Sequence, residues 1–216
     1  MNWQDEGYLL SKNNFNENSI IIEAFTLCHG KYSGIVYGGS SRKKKKDFQI
    51  GNKIFLNWSS KGRNKAGYFS VELIKPISPL YFDDKKRSMC ILSATSILKI
   101  LLPERQINKK VYNSFDLMLN NLNSESWINQ YIYWELSLIK ELGYEIDYSN
   151  SDKSIQINDK SLRIPNLLLN KNINNDFNQE IKKALNFNKN LLLENFIIPN
   201  RLSFPLFRNI LEDYFN

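Results

Sequence analysis

Cysteine and histidine are scarce in this chain of 216 residues, which has two cysteines, Cys28 and Cys90, and one histidine, His29. The sequence contains no Cys-x-x-Cys pair, so thiolate and imidazole ligands cannot assemble a structural zinc cluster. We expect both cysteines to be reduced, buried thiols, because disulfides are rare in cytosolic proteins.

Recognisable catalytic patterns are also missing. The sequence has no phosphate-binding glycine loop and no dinucleotide-binding fingerprint. His29 lies beside Gly30 in a predicted turn, whereas a catalytic base also needs a nucleophile and an orienting partner. We therefore expect no catalytic residue, no metal and no cofactor. A binding protein is favoured over an enzyme, and a hydrolase or transferase is kept as an alternative.

Long apolar runs are absent as well. The longest uncharged stretch, Ser88 to Leu98, is too short to span a bilayer. The first residues include Asp5 and Glu6, whereas a signal peptide would begin with basic residues. These features predict a cytoplasmic protein that does not enter the membrane.

Acidic residues are too few to balance the basic ones in the first third of the chain. Residues 1–80 hold 12 Lys or Arg against 6 Asp or Glu, whereas residues 81–216 hold 17 against 16. The net charge of +7 therefore belongs mainly to the N-terminal region. Such an asymmetry predicts two regions with different roles.

Five consecutive cations form what we call the first basic segment, which consists of Arg42, Lys43, Lys44, Lys45 and Lys46. These charges repel one another, so the run must be solvated or neutralised by a polyanion. A protein that neutralises phosphates gains affinity by releasing counterions, and it needs no base-specific contact to do so. Nucleic-acid binding is therefore the leading hypothesis, and a merely solvated loop is the alternative.

The region up to residue 75 has the pattern of short β-strands, with β-branched and aromatic residues between glycine-containing bends. Five strands are predicted, at Gly7–Ser11, Ser19–Thr26, Tyr32–Tyr37, Lys53–Ser59 and Tyr68–Ile74. Five short strands in so few residues fit a small closed barrel, and the five-stranded OB-fold is the obvious candidate. Such barrels commonly bind oligonucleotides across one face.

A helical period begins after the proline-containing stretch 76–79. The stretch 83–102 reads as a buried helix, and Asp83 and Asp84 before it are expected to interact with its N-terminus rather than with a cation. Two more helices follow, the second ending near Gly143. Further helices are predicted within about residues 175–215.

The chain is therefore predicted to be an α+β protein. An OB-fold nucleic-acid-binding domain is expected over residues 1–78, followed by an α-helical domain over residues 79–216. The helical domain is interrupted at about residues 144–165 by a short irregular or hairpin insertion, because the apolar residues there alternate.

Several N-terminal aromatic side chains are suited to a strand-face nucleic-acid site, namely Tyr32, Tyr37, Phe48, Trp58 and Tyr68. For Tyr32 and for Tyr37, base stacking and a place in the core are equally expected. Phe48 and Trp58 are expected in the core. Further cations can extend a basic surface along the barrel. They are Lys31 and the three cations of what we call the second basic segment, Lys61, Arg63 and Lys65.

The order and spacing of several short motifs resemble the RecO family of bacterial recombination mediators, in the version found in alphaproteobacteria. The motifs are Trp3-Gln4-Asp5-Glu6-Gly7, Glu17-Asn18-Ser19, Phe25-Thr26, His29-Gly30-Lys31, Gly38-Gly39, Gln49-Ile50-Gly51-Asn52, Leu101-Leu102-Pro103-Glu104-Arg105, Trp134-Glu135-Leu136 and Glu141-Leu142-Gly143-Tyr144. The likeness covers most of the chain and is densest over residues 3–75 and 95–148.

The resemblance implies an N-terminal OB-fold, a helical C-terminal domain and a mediator of DNA repair that is not an enzyme. It implies binding of single- and double-stranded DNA and annealing of complementary strands. It also implies work with RecR and with the acidic C-terminal tail of single-stranded DNA-binding protein, so that RecA loads at gaps. We expect a monomer that is cytoplasmic and nucleoid-associated.

The chain departs from the family pattern at two places. Many relatives carry four zinc-binding cysteines after the Glu-Leu-Gly motif, but residues 144–165 contain none, so zinc is not expected. Relatives also tend to place basic residues where this chain has Tyr37 and Ser40. We expect the first basic segment to take over that role, so that only Lys31 is carried over from the family pattern as a DNA ligand.

Two other functions are compatible with a basic barrel and a helical domain. The protein could be an RNA-binding OB-fold protein, since many RNA readers use the same fold and the same charge. It could also be an interaction scaffold whose basic loop is only solvated.

Overall fold

The computed structural model describes residues 2–41, 44, 46–60, 67–146, 154–158, 160–169 and 177–215. The chain forms two compact units, residues 1–112 and 113–216. The predicted domain limit at residue 78 falls inside the first unit, just after the last barrel strand, and it stays a prediction. No helix in the described ranges is long and apolar enough to cross a membrane.

The first unit contains a closed five-stranded barrel, which confirms the predicted OB-fold. Its strands are β1 (Asn2–Asn16), β2 (Ser19–Thr26), β3 (Gly30–Tyr37), β4 (Lys53–Ser59) and β5 (Tyr68–Lys75). They close in the order β1-β2-β3-β5-β4, with β4 returning to pair with β1. All pairs are antiparallel except β3 with β5, which is parallel.

The strand β1 is much longer than the predicted Gly7–Ser11. Its first half pairs with β4, from Asn2 opposite Ser59, and its second half pairs with β2, ending at Asn16 opposite Ser19. Hydrogen bonds to β4 and β2 therefore keep polar residues of β1 in the strand, although the intrinsic propensity of these residues does not favour a strand.

The barrel interior is a continuous apolar core. Five of its side chains are completely excluded from solvent, namely Leu9, Ile22, Ala24, Ile54 and Leu56. Phe48 and Trp58 also lie in this core, as predicted, and so does Tyr32. Burial of this apolar surface stabilises the barrel by roughly 25 cal/mol per Å² removed from water.

The barrel closes where β3 approaches β5, and two glycines permit this approach. The amide of Ile35 donates to the carbonyl of Gly67 at 2.9 Å. A Cβ atom on Gly34 would lie 2.5 Å from the ring of Phe69, and one on Gly67 would lie 2.2 Å from the indole nitrogen of Trp58. Neither position has room for a side chain unless an aromatic ring moves.

Helix α1 (Lys85–Leu101) completes the first unit, after a short 3₁₀ turn at Ser78–Tyr81. Asp84 caps α1, because its side chain accepts from the amide of Arg87 at 3.0 Å. This contact confirms the expected interaction with the helix N-terminus for Asp84. Helix α2 (Lys109–Asn120) crosses the limit between the two units.

The second unit is mainly helical. Its elements are helix α3 (Trp127–Glu141), strands β6 (Ser154–Ile157) and β7 (Lys160–Arg163), a 3₁₀ turn at Asn166–Leu169, helix α4 (Phe177–Leu192) with a π-helical turn at Leu193–Ile197, and helix α5 (Leu206–Asp213). Strands β6 and β7 form an antiparallel hairpin where the alternating pattern predicts one.

A buried ion-pair network joins α3 to α5. Arg208 is fully buried, and its Nε donates to Glu135 Oε1 at 2.6 Å, while Tyr131 donates to the same oxygen at 2.7 Å. Burial alone would lower the pKa of the Arg208 guanidinium, but Glu135, Tyr131 and Glu212 together outweigh that effect and raise it. Arg208 is 73 residues from Glu135, and no local pattern predicts this contact.

The barrel closure makes a prediction about Gly34. Valine is the better strand former, yet Gly34→Val should lower the free energy of unfolding by about 1–3 kcal/mol, because its side chain must displace the ring of Phe69. Urea unfolding monitored by circular dichroism would measure the change. Asn14→Val, at an exposed position of β1, is the control and should stay within about 0.5 kcal/mol of the parent chain. Equal stability of Gly34→Val and the parent would contradict this packing.

Candidate nucleic-acid interface

The first basic segment lies in the connection between β3 and β4. Lys44 and Lys46 are exposed, while Arg42, Lys43 and Lys45 lie outside the described residues. The connection is fastened on both sides of this segment. Before it, the hydroxyl of Ser40 donates to the carbonyl of Glu17 at 2.8 Å, and after it, Phe48 is buried in the barrel core.

The second basic segment lies in the connection between β4 and β5. Lys61, Arg63 and Lys65 all fall outside the described residues, so only the attachment points of this connection are described. Strand β4 ends at Ser59, and β5 begins at Tyr68 directly opposite it.

The topology brings one attachment point of each basic connection to the same end of the barrel. The first connection leaves β3 after Tyr37, and the second enters β5 at Tyr68. The register pairs Ile35 of β3 with Tyr68 of β5, so the two strand ends are neighbours. The two connections therefore attach at adjacent points, although the basic segments that they carry are more than ten residues apart in sequence.

An exposed tyrosine pair marks this end of the barrel. The rings of Tyr37 and Tyr68 stack with centroids 5.2 Å apart at an angle of 15°, and Tyr37 is 63% exposed. The Tyr37 phenol is neutral at ordinary pH, and a hydrogen bond with the Tyr68 side chain raises its pKa further. The outer face of Tyr37 can accept a stacked base and does not repel its phosphate.

Tyr32 does not share this surface. It is buried in the barrel core, where its ring meets Trp58 edge-on at a centroid distance of 5.4 Å and Trp3 at 5.0 Å. The guanidinium of Arg105 lies 5.4 Å from the Tyr32 ring centroid. Of its two expected roles, the structure assigns Tyr32 to packing.

Lys31 is also withdrawn from the surface. Its side chain is buried, and Nζ donates to the carbonyl of Lys99 at 2.6 Å, near the end of α1. Burial lowers the pKa of this ammonium, against the opposing influence of Glu23 and Glu104. Lys31 therefore fastens α1 to the barrel, and we leave Lys31 and Tyr32 out of the candidate interface.

His29 has partners that sequence reasoning missed. Its Nδ1 lies 2.9 Å from Asp5 Oδ2, and its ring stacks on Trp3 at a centroid distance of 4.1 Å. Asp5 also accepts from the amide of Cys28 at 2.7 Å, so the cluster fixes the turn between β2 and β3. Cys28 is exposed, so the expectation of two buried thiols is wrong for this residue, because it lies in that turn; Cys90 is buried.

A groove of about 620 Å³ lies beside the tyrosine pair, across the ends of β1, β4 and β5. We call it the β4 groove. Its described lining consists of Asn2, Trp3, Gln4, Asn57, Trp58, Ser59, Tyr68, Phe69 and Ser70. Apart from Trp58 and Tyr68, sequence reasoning assigned none of these residues to a site or to the core, because only the strand register brings them together.

Two family models match the chain. The model described as "Recombination protein O N terminal" matches residues 1–77, and the model described as "Recombination protein O C terminal" matches residues 83–151. The chain belongs to the recombination protein O family. This confirms the resemblance seen in the sequence motifs.

Individual relatives in the RecO family are proteins named DNA repair protein RecO. The relative from Ehrlichia chaffeensis is 35% identical over 151 residues, which cover 69% of this chain and 61% of the relative. The relative from Cereibacter sphaeroides is 34% identical over 148 residues, covering 68% and 61%. The matched region thus spans about three fifths of the length of these relatives.

One solved structure, an asparaginyl-tRNA synthetase from Entamoeba histolytica, is similar over 74% of this chain and 39% of its own. The sequence identity is 11% and the TM-score is 0.28, which is too low to support an argument about fold or function.

The burial of Lys31 leads to a prediction that distinguishes a packing role of this residue from a DNA-binding role. Lys31→Gln should lower the free energy of unfolding by about 1.5–3 kcal/mol, because it removes a charged donor from a buried carbonyl. It should leave the salt dependence of DNA binding unchanged. The control Lys44→Gln should do the reverse, reducing the slope of log K against log salt by about 0.7 on single strands. A reduced slope for Lys31→Gln would return Lys31 to the interface.

Proposed function

We propose that the protein is a non-enzymatic mediator of DNA repair and recombination that binds single- and double-stranded DNA without sequence specificity. One observation supports this proposal most directly. The attachment points of the two basic connections lie next to each other, at the end of the barrel that has the exposed tyrosine pair. Membership of the RecO family supports it.

In this proposal the cations of both basic segments hold the phosphates. They are Arg42, Lys43, Lys44, Lys45, Lys46, Lys61, Arg63 and Lys65. Each phosphate that they neutralise releases counterions, which favours binding of any sequence. The exposed face of Tyr37 adds a stacking platform, which tolerates every base because every base has a π-face.

Strand annealing follows from the same electrostatics. Two complementary strands repel each other through their phosphates, and this repulsion opposes the first contacts between their bases. A basic surface that neutralises both strands reduces the repulsion and raises the frequency of productive encounters. The protein then speeds pairing without a chemical step, which fits a mediator.

The partners of this activity are proposed from the family alone. They are RecR and the C-terminal tail of single-stranded DNA-binding protein, which together with a monomer of this chain would allow RecA to load at gaps. We propose that the protein acts at the nucleoid in the cytoplasm. These statements rest on the family, because this chain matches only part of its relatives' length.

The test is a titration of DNA binding in increasing salt. A variant with Gln at all five positions of the first basic segment should bind more weakly, and its slope of log K against log salt should be smaller by up to about 3.5 on single-stranded DNA. The control variant loses the same charge elsewhere, by Gln substitution of the exposed residues Lys85, Lys86, Lys109, Lys182 and Arg201. It should keep the parental slope.

Three outcomes would contradict the proposal. An unchanged slope for the first variant would remove the first basic segment from the interface. Failure of the parent chain to bind any DNA would favour the scaffold, and preferential binding of RNA of the same sequence would favour an RNA reader.

A further inference from the structure

The described residues that line the β4 groove carry no charge, and they include two rows of polar side chains. The strand register sets Gln4, Asn57 and Ser70 in one row, and the same register sets Asn2, Ser59 and Tyr68 in the next. The Asn, Gln and Ser side chains of both rows make no hydrogen bond to any other residue in the part of the chain that the structure describes. Their donors and acceptors are therefore available to a ligand.

An aromatic ring also belongs to this face of the sheet. Tyr68 lies in one of the polar rows, whereas Trp3, Trp58 and Phe69 form the row between them, and successive side chains of a strand point to opposite faces. The rings of the middle row therefore belong to the barrel core, and the ring of Tyr68 is the flat surface beside the amides.

This combination fits a nucleobase better than a phosphate. A phosphate needs cations, which the described lining lacks, whereas a base presents a flat apolar face and an edge of donors and acceptors. Asn and Gln amides match base edges, because each carries both a donor and an acceptor. The charges needed for the phosphates lie instead in the basic connections that attach beside the groove.

Tyr68 links the groove to the stacking platform, since it belongs both to the lining and to the tyrosine pair. A single strand that stacks a base on the exposed face of Tyr37 would therefore have the groove beside it.

We propose that the β4 groove takes a nucleobase of bound single-stranded DNA, with the side chains of Gln4 and Asn57 facing the edge of that base. This inference rests on the proposed function and adds a base-binding site to its phosphate surface. Duplex DNA cannot use the groove, because its bases are paired and stacked. The groove thus gives the barrel a means to distinguish single strands from duplexes.

The test compares two ligands with the same phosphates. One is a single-stranded oligonucleotide of about 12 nucleotides, within the range that OB-fold proteins cover, and the other is its abasic counterpart. The parent chain should bind the normal oligonucleotide at least about 5-fold more tightly, since the loss of one stacked base costs roughly that factor or more. Both ligands should show the same salt slope.

Two groove variants sharpen the comparison. Asn57→Val should remove the amide that faces the base edge and bring the ratio of the two affinities down by about 5-fold, while the salt slope stays parental. Gln4→Ala is the milder second variant and should change the ratio in the same direction without the risk of misfolding. The matched control is Asn14→Val, at an exposed position of β1 outside the groove lining, which should leave the ratio unchanged.

The readings separate this inference from the proposed function. If neither oligonucleotide binds, the proposed function and the groove assignment both fail. If both bind equally well with a normal salt slope, DNA binding stands and the groove assignment is overturned. It is also overturned if Asn57→Val and Gln4→Ala both fold normally, as judged by circular dichroism, and both keep the parental ratio.

Discussion

The close approach of β3 to β5 is the contact on which the candidate interface depends. Without it the barrel would be open, and Tyr37 at the end of β3 would not meet Tyr68 at the start of β5. The approach is possible because Gly34 and Gly67 face aromatic rings at distances that exclude a Cβ atom. The same contact places the attachment points of the two basic connections side by side, so a steric requirement in the core determines where these connections attach to the barrel.

In the first unit, the strands and the connections between them carry different kinds of side chains. The strands supply rings and uncharged amides in fixed register, whereas the predicted phosphate ligands belong to the connections between them. Fixed rows of side chains suit flat bases, and phosphates need only charge nearby, because screened Coulomb attraction tolerates imprecise geometry. Lys31 is the instructive exception, since a lysine inside a strand is buried and serves packing instead.

Local sequence patterns predict much of this structure, and long-range contacts determine the rest. The limits of β2 and β4 agree with the pattern of apolar and β-branched residues, but the length of β1 does not, because ladders with two neighbours decide it. The burial of Lys31 could not be predicted, since its partner carbonyl on Lys99 is 68 residues away. The groove could not be predicted from the sequence either, because only the strand register brings Asn57 and Ser70 together.

The central claim, that nucleic acid lies across the barrel end where β3 and β5 meet, is tested most directly by photo-crosslinking. A single-stranded oligonucleotide containing 5-bromodeoxyuridine would be bound to the full chain and irradiated, and the crosslinked peptides would be identified by mass spectrometry. The account predicts adducts on Tyr37 and Tyr68 and on the peptides that carry the two basic segments. Adducts confined to residues 113–216, or to α1, would contradict it.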